Sequence, residues 1–333
     1  MMPDQCHSKA RRYSIATLIR ASAIMALGVA PLAAFAAWPD KPIRIVVPSA
    51  PGGSADAIAR LVGERLTKAL GQPVVIDNKG GGGGNIATEA VARSPADGYT
   101  LLLTGNNHSL NVSLFPKAPY RLDDFTSVIE LTRGPSVFVV GAGAPFASLG
   151  ELIRRAKAAP DSIAFGSPGI GLPSHIAFEM FERDAGIKLV HVPYKGSGPS
   201  LADGMGGQVP VVSSTLAAAM PHIKAGKLRA LAVTSAMRWH SLPDVPTVAE
   251  ITGSRFEHMT WLGILAPKGT PASIVLQLNR QFDTILQAPD FRAKLDALGT
   301  TPVGGSGAAF QKVIDTEAAA SRALVHAAKL KAE

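Results

Sequence analysis

The chain has 333 residues, a formal net charge of +8, 47% hydrophobic residues and 17% charged residues. That length exceeds one ordinary core and that apolar fraction excludes a disordered chain, so about two folded units are expected. The 33 glycines and 25 prolines are scattered apart from one run, which excludes collagen and a long coiled coil.

Residues 1–36 read as an export address. Lys9, Arg11 and Arg12 precede the apolar stretch Ile15–Ala30, and Ala34-Phe35-Ala36 forms an A-x-A site, so cleavage after Ala36 and a periplasmic destination are expected. Arg20 leaves an uninterrupted apolar run of about ten residues, short of the roughly 20 that span a bilayer. The Arg11-Arg12 pair leaves both general secretion and twin-arginine export open. This segment carries +3 of the total +8, leaving +5 on the remainder. A mildly basic chain suits an anionic ligand; without a dense basic stripe, no nucleic acid is expected. The single cysteine, Cys6, precedes the apolar stretch, so the mature chain holds no thiol or disulfide.

From Pro42 onward strands and helices alternate. Pro42–Pro48 reads as a β-branched strand. A helix follows from Ser54, with Asp56 in its first turn, apolar residues at Ile58, Leu61, Val62 and Leu66, and Gly71 as its stop. Pro73–Ile76 is a strand, Asn85–Arg93 a helix and Tyr99–Leu103 a strand. Val137–Val140 is the next strand, and Ser148 with Glu151 forms a capping box for a helix over Leu149–Ala158. Strands at Ile163–Phe165, Leu189–Val192, Val209–Val212, Leu228–Thr234 and Thr260–Leu265 follow, with a helix over about Ser174–Asp184. Three helices close the chain, the last over Ala308–Leu330. Strands separated by helix-length segments predict an α/β fold with mainly parallel sheets flanked by helices, in two lobes joined by strand crossovers.

Ligands of parallel α/β sheets sit at the carboxyl ends of strands, beside helix N-termini. Two such junctions are rich in small residues: Ser49, Ala50, Gly52, Gly53 and Ser54 in the first, and Ser167, Gly169, Gly171 and Ser174 in the second. Glycines let backbone N–H groups approach an anion, and a helix N-terminus contributes roughly half a positive charge. Both loops are expected to be exposed. Gly80–Gly84, followed by Asn85, is a third such junction, which reads either as an anion loop or as a mobile rim. There is no G-x-G-x-x-G after a strand and no P-loop, which disfavours nucleotides; no cofactor is expected. There is no H-E-x-x-H, and His175 with Glu179 reads as a helical pair rather than a metal site. Without a G-x-S-x-G elbow, Ser54, Ser167 and Ser197 lack nucleophile context.

The segment Trp38–Pro48 followed by Gly52-Gly53-Ser54-Ala55-Asp56 resembles the start of the mature substrate-binding proteins of tripartite tricarboxylate transporters, the Bug receptor family. Further landmarks in register are Pro95-Ala96-Asp97-Gly98-Tyr99-Thr100, His191-Val192-Pro193-Tyr194-Lys195-Gly196 and Leu242-Pro243-Asp244-Val245-Pro246-Thr247. The resemblance implies a periplasmic Venus-flytrap receptor, here with lobe 1 at 37–137 plus 262–333 and lobe 2 at 138–261. It further implies a monomer that captures a small carboxylate and passes it to a membrane permease or a sensor. An exported α/β enzyme of esterase type is the alternative. The two loops match those that hold ligand carboxylates in the family. Asp56 and His175 are expected to orient these loops, while Lys195 either adds charge or is a solvated surface lysine. Ser213 and Ser214 stand where relatives carry Phe-Asp, and Ser49 where they carry Phe. Hydroxyls cannot neutralise an ammonium, so a ligand without an amine is expected.

Overall fold

The computed structural model describes residues 38–115 and 117–328, so the expected signal segment lies outside the described residues. From Lys41 onward, ten strands assemble in the order β2-β1-β3-β9-β4-β7-β5-β6, with β10 and β8 also pairing with β4. The strands are β1 (Ile43–Val47), β2 (Val74–Asn78), β3 (Thr100–Gly105), β4 (Phe125–Gly141), β5 (Ala164–Ser167), β6 (Val190–Pro193), β7 (Val211–Thr215), β8 (Leu228–Val233), β9 (Met259–Pro267) and β10 (Thr301–Pro302).

The long strand β4 belongs to two sheets. Its first part, Phe125–Pro135, pairs with β9, and Ser136–Val139 pairs with β7. The change of partner falls at Gly134-Pro135. Proline brings no N–H to a ladder, which suits the point where one ladder ends and another begins. Each sheet is mixed. The outer pairs β1–β2, β1–β3, β5–β6 and β5–β7 are parallel, whereas every pairing of β4 and the β3–β9 pairing are antiparallel. The parallel parts follow from the βαβ alternation. The antiparallel parts come from β4 and β9, which carry the chain between the sheets. The expected lobe limits at 137/138 and 261/262 fall inside these two strands.

Each sheet buries its own core. In the first, Val46, Leu102, Phe125 and Leu265 pack with Phe310 and Ile314 of the C-terminal helix Gly307–Ala328. In the second, Phe138, Phe165, Phe178 and Phe181 form an aromatic cluster, with Phe165 stacked on Phe178 at 4.0 Å. Among the described residues, no helix is long and apolar enough to cross a membrane.

Candidate functional site

The carboxyl ends of β1, β3, β5, β6 and β7 each lead into a helix: Ser54–Leu70, Asn107–Leu114, Pro173–Ala185, Ser197–Met205 and Leu216–Lys224. Ser54, Asn107, Ser174, Ser197 and Ala217, from the first turns of these five helices, line one cavity of about 80 Å³. The first turn of a helix leaves N–H groups without intrahelical partners, and the peptide dipoles add positive potential there. No ionisable side chain lines this cavity among the described residues. Its positive potential therefore comes from backbone dipoles. The walls between them are largely apolar, with Ile58, Leu172, Pro135, Trp261 and Leu262. A second cavity of about 280 Å³ adjoins the first; they share Pro48, Ser49, Pro168, Leu172 and Gly196.

The expected residues divide by position. Gly53, Ser54 and Ser174 line the first cavity, Gly169 and Lys195 the second, and Ser49 both. The Ser49 hydroxyl has no hydrogen-bond partner among the described residues. Lys195 is exposed and lines the second cavity beside Tyr194. Ala50 lies behind the cavities, where a Cβ built on Gly196 would stand 3.4 Å from the Ala50 nitrogen. Gly52 donates its N–H to the Asp56 carboxylate at 3.0 Å. Asp56, 5% exposed, also pairs with Arg60 at 2.9 Å. Burial alone would push its carboxyl up, but the Arg60 guanidinium and the Gly52 N–H outweigh burial and hold it below the usual range.

The second loop is held in the same way. Gly171 donates its N–H to His175 Nδ1 at 3.3 Å and touches neither cavity. Ser167 accepts the Gly169 N–H at 3.2 Å and lies 2.7 Å from His191 Nε2. Ser213 donates to the Ser174 carbonyl at 2.6 Å, whereas the buried Ser214 hydroxyl has no partner among the described residues. Neither Ser213 nor Ser214 lines either cavity.

The two loops were expected to be exposed, but Gly53, Gly169 and Gly171 are buried. The reason is close approach between the sheets' loops. A Cβ at Gly171 would lie 2.8 Å from Asn111 Oδ1, and one at Gly83 would lie 2.7 Å from the Ile170 carbonyl. Gly83 sits at φ +62°, a conformation glycine adopts without strain. The glycine run is also tethered: Asn107 and Asn111 donate to the Gly83 carbonyl at 3.2 and 2.9 Å.

Sequence reading missed Gly196-Ser197 and Thr215. Both are strand-to-helix junctions like the two it selected, and Gly196 has φ +123°. The signal was the shortness of β6 and β7 before small residues. It also missed Thr132, Thr260 and Thr300, which line the first cavity from β4, β9 and the turn before β10; nothing in their local sequence marks them.

The comparisons agree with this geometry. The family profile described as tripartite tricarboxylate transporter family receptor matches residues 58–330. Protein BugT of Bordetella pertussis is 40% identical over 283 residues, covering 84% of this chain and 87% of BugT. Among solved structures, Rpa4515 of R. palustris with adipate superposes with a TM-score of 0.85 at 36% identity, covering 88% of this chain and 98% of that one. MatC (Rpa3494) of Rhodopseudomonas palustris with bound malate superposes with a TM-score of 0.82 at 31% identity, covering 86% of this chain and all (100%) of that one. A profile spanning most of the chain and relatives of this identity establish that the chain belongs to the tripartite tricarboxylate transporter receptor family, the Bug receptors.

Proposed function

We propose that this protein is a periplasmic solute receptor that captures a small carboxylate between two α/β lobes and delivers it to a membrane permease of the tripartite tricarboxylate type. One observation carries the reading: five helix first turns face a cavity lined by no ionisable side chain among the described residues. Backbone N–H groups fixed in advance can replace a carboxylate's water without the cost of burying a counter-charge. The relatives with bound adipate and malate support the same ligand class. In this reading lobe 1 comprises 37–137 plus 262–333 and lobe 2 comprises 138–261, with β4 and β9 as the crossing strands.

The rival enzyme reading meets a specific obstacle. Ser167 and His191 are hydrogen-bonded at 2.7 Å, but Ser167 is fully buried and lines neither cavity. A nucleophile must reach its substrate. The test of function is native mass spectrometry of the protein purified from its periplasm. A co-purifying organic acid is expected, and a co-purifying sugar or peptide would contradict the proposal.

A further inference from the structure

The second loop is bonded to a pair of histidines that binding itself does not explain. His175 lies on the helix Pro173–Ala185 and His191 on β6, and their rings stack at 4.2 Å. His191 also stacks on Phe165 at 4.8 Å. Neither histidine lines either of the two cavities described above. Each instead is hydrogen-bonded to the loop. The Ser167 hydroxyl takes the Gly169 N–H at 3.2 Å and is hydrogen-bonded to His191 Nε2, 2.7 Å away. His175 Nδ1 takes the Gly171 N–H directly at 3.3 Å. The backbone bond assigns one tautomer: neutral His175 carries its proton on Nε2, which faces Glu179 Oε1 at 3.7 Å.

We propose that His175 and His191 are positioning residues of the ligand loop, which as neutral imidazoles anchor the Gly169 and Gly171 amides and thereby hold Ser174 at the cavity. The Gly169 and Gly171 backbones have φ +142° and +76°, so the loop follows an uncommon path that needs fixing points. A proton on His175 Nδ1 would turn that acceptor into a donor facing the Gly171 N–H. The charged groups around the pair are Glu179, Glu182 and Lys188, with Lys188 lying 3.9 Å from Glu179 and 3.5 Å from Glu182. Burial and the nearby Lys188 keep both rings neutral: His175 is pushed down to about 3 by burial, then by His191 and Lys188, and His191 to about 4 by burial and Lys188. This proposal deepens the receptor reading, because it names what fixes that site's second loop.

The test is amide hydrogen exchange on the ligand-free protein, followed by NMR, so its result is independent of which solute binds. Ser167→Ala removes the link between Gly169 and His191, and His191→Phe removes the ring nitrogen bonded to Ser167 while keeping a ring in the stack. Each is expected to speed exchange of the Gly169 amide at least tenfold, leaving the β3 amides of Leu101–Leu103 unchanged. Ser167→Thr, which keeps the hydroxyl, is expected to restore wild-type exchange. His175→Leu is expected to act on the Gly171 amide. If His191→Phe does not fold, Ser167→Ala with its threonine rescue reads the same bond. Unchanged Gly169 exchange in Ser167→Ala would overturn the proposal. So would faster exchange spread evenly over β5 and β6, which would mean lost packing rather than a lost anchor.

Discussion

The Ser213 hydroxyl donates to the Ser174 carbonyl at 2.6 Å, tying β7 to the first turn of the helix that faces the ligand cavity. Both residues are buried, at 0% and 1% exposure, so this bond has no competing water. Ser213 is thus a strut behind the site. Ser213→Ala leaves a buried carbonyl one partner short and is expected to cost about 1–3 kcal/mol. Thermal unfolding checks this. A variant as stable as wild type would show that the bond contributes nothing.

Gly53 is the cleaner of the two glycines for probing the ligand loops. It has φ −87° and a Cβ built on it meets nothing closer than 3.9 Å, whereas one on Gly169 would lie 2.9 Å from the Tyr194 carbonyl. Gly53→Val should therefore fold with a near-native melting temperature, fill the cavity at a helix first turn, and abolish ligand binding. Calorimetry against the protein's co-purifying acid checks it, and unchanged affinity would place the anion elsewhere.

Acid should destabilise the fold. Burial lowers His108 and His175 to about 3 and His191 and His258 to about 4, from an ordinary 6.5. The unfolded chain takes up these protons below about pH 6.5 while the folded chain does not, so their stabilisation is complete above that pH and declines as the pH falls toward 4. Glu182 works the other way. Its carboxyl is pushed up to about 7, chiefly by burial, so its contribution is complete below about 4.5 and lost as pH rises through 7. Glu317, whose carboxyl burial also pushes up, acts in the same sense as Glu182, but four histidines outweigh two glutamates, and stability should fall by a few kcal/mol, on the order of 1.4 per pKa unit for each group, between pH 6.5 and 5. An equal or higher melting temperature at pH 5 than at pH 7 would contradict this.

Amine-free acids should bind better than their amino counterparts. An ammonium in this cavity would find no carboxylate, since none lines it among the described residues. The nearest loop acid, Asp56, is already committed to Gly52 and Arg60. An unpaired buried charge is strongly penalised. Calorimetry on succinate against aspartate, and glutarate against glutamate, should favour the first of each pair; the reverse order in both would refute the argument.

The parallel outer strands were legible because apolar runs and helix caps recur in register, as at Ser148 with Glu151, where the capping bond is present at 3.2 Å. The length of β4 was not, because Thr132, Arg133, Gly134 and Pro135 break its apolar run at the place where it changes sheets. In the site, the loop glycines could be chosen from composition. Their burial could not, since it comes from contacts such as Gly83 with Ile170, residues 87 positions apart in the chain. Ser213 and Ser214 are expected at the ligand because they follow the strand Val209–Val212 at the position where relatives carry Phe-Asp. The side-chain bond that turns Ser213 inward is a tertiary contact that no local pattern encodes.

The most direct measurement is a thermal-shift screen of the mature protein against mono-, di- and tricarboxylates, with sugars, amino acids and divalent cations as controls. A bound solute stabilises the folded state by about 2.7 kcal/mol at a hundred times its Kd, so a true ligand cannot escape detection. At least one carboxylate should raise the melting temperature while sugars and cations leave it unchanged. A melting temperature that no carboxylate moves and a sugar or cation does would contradict the carboxylate receptor.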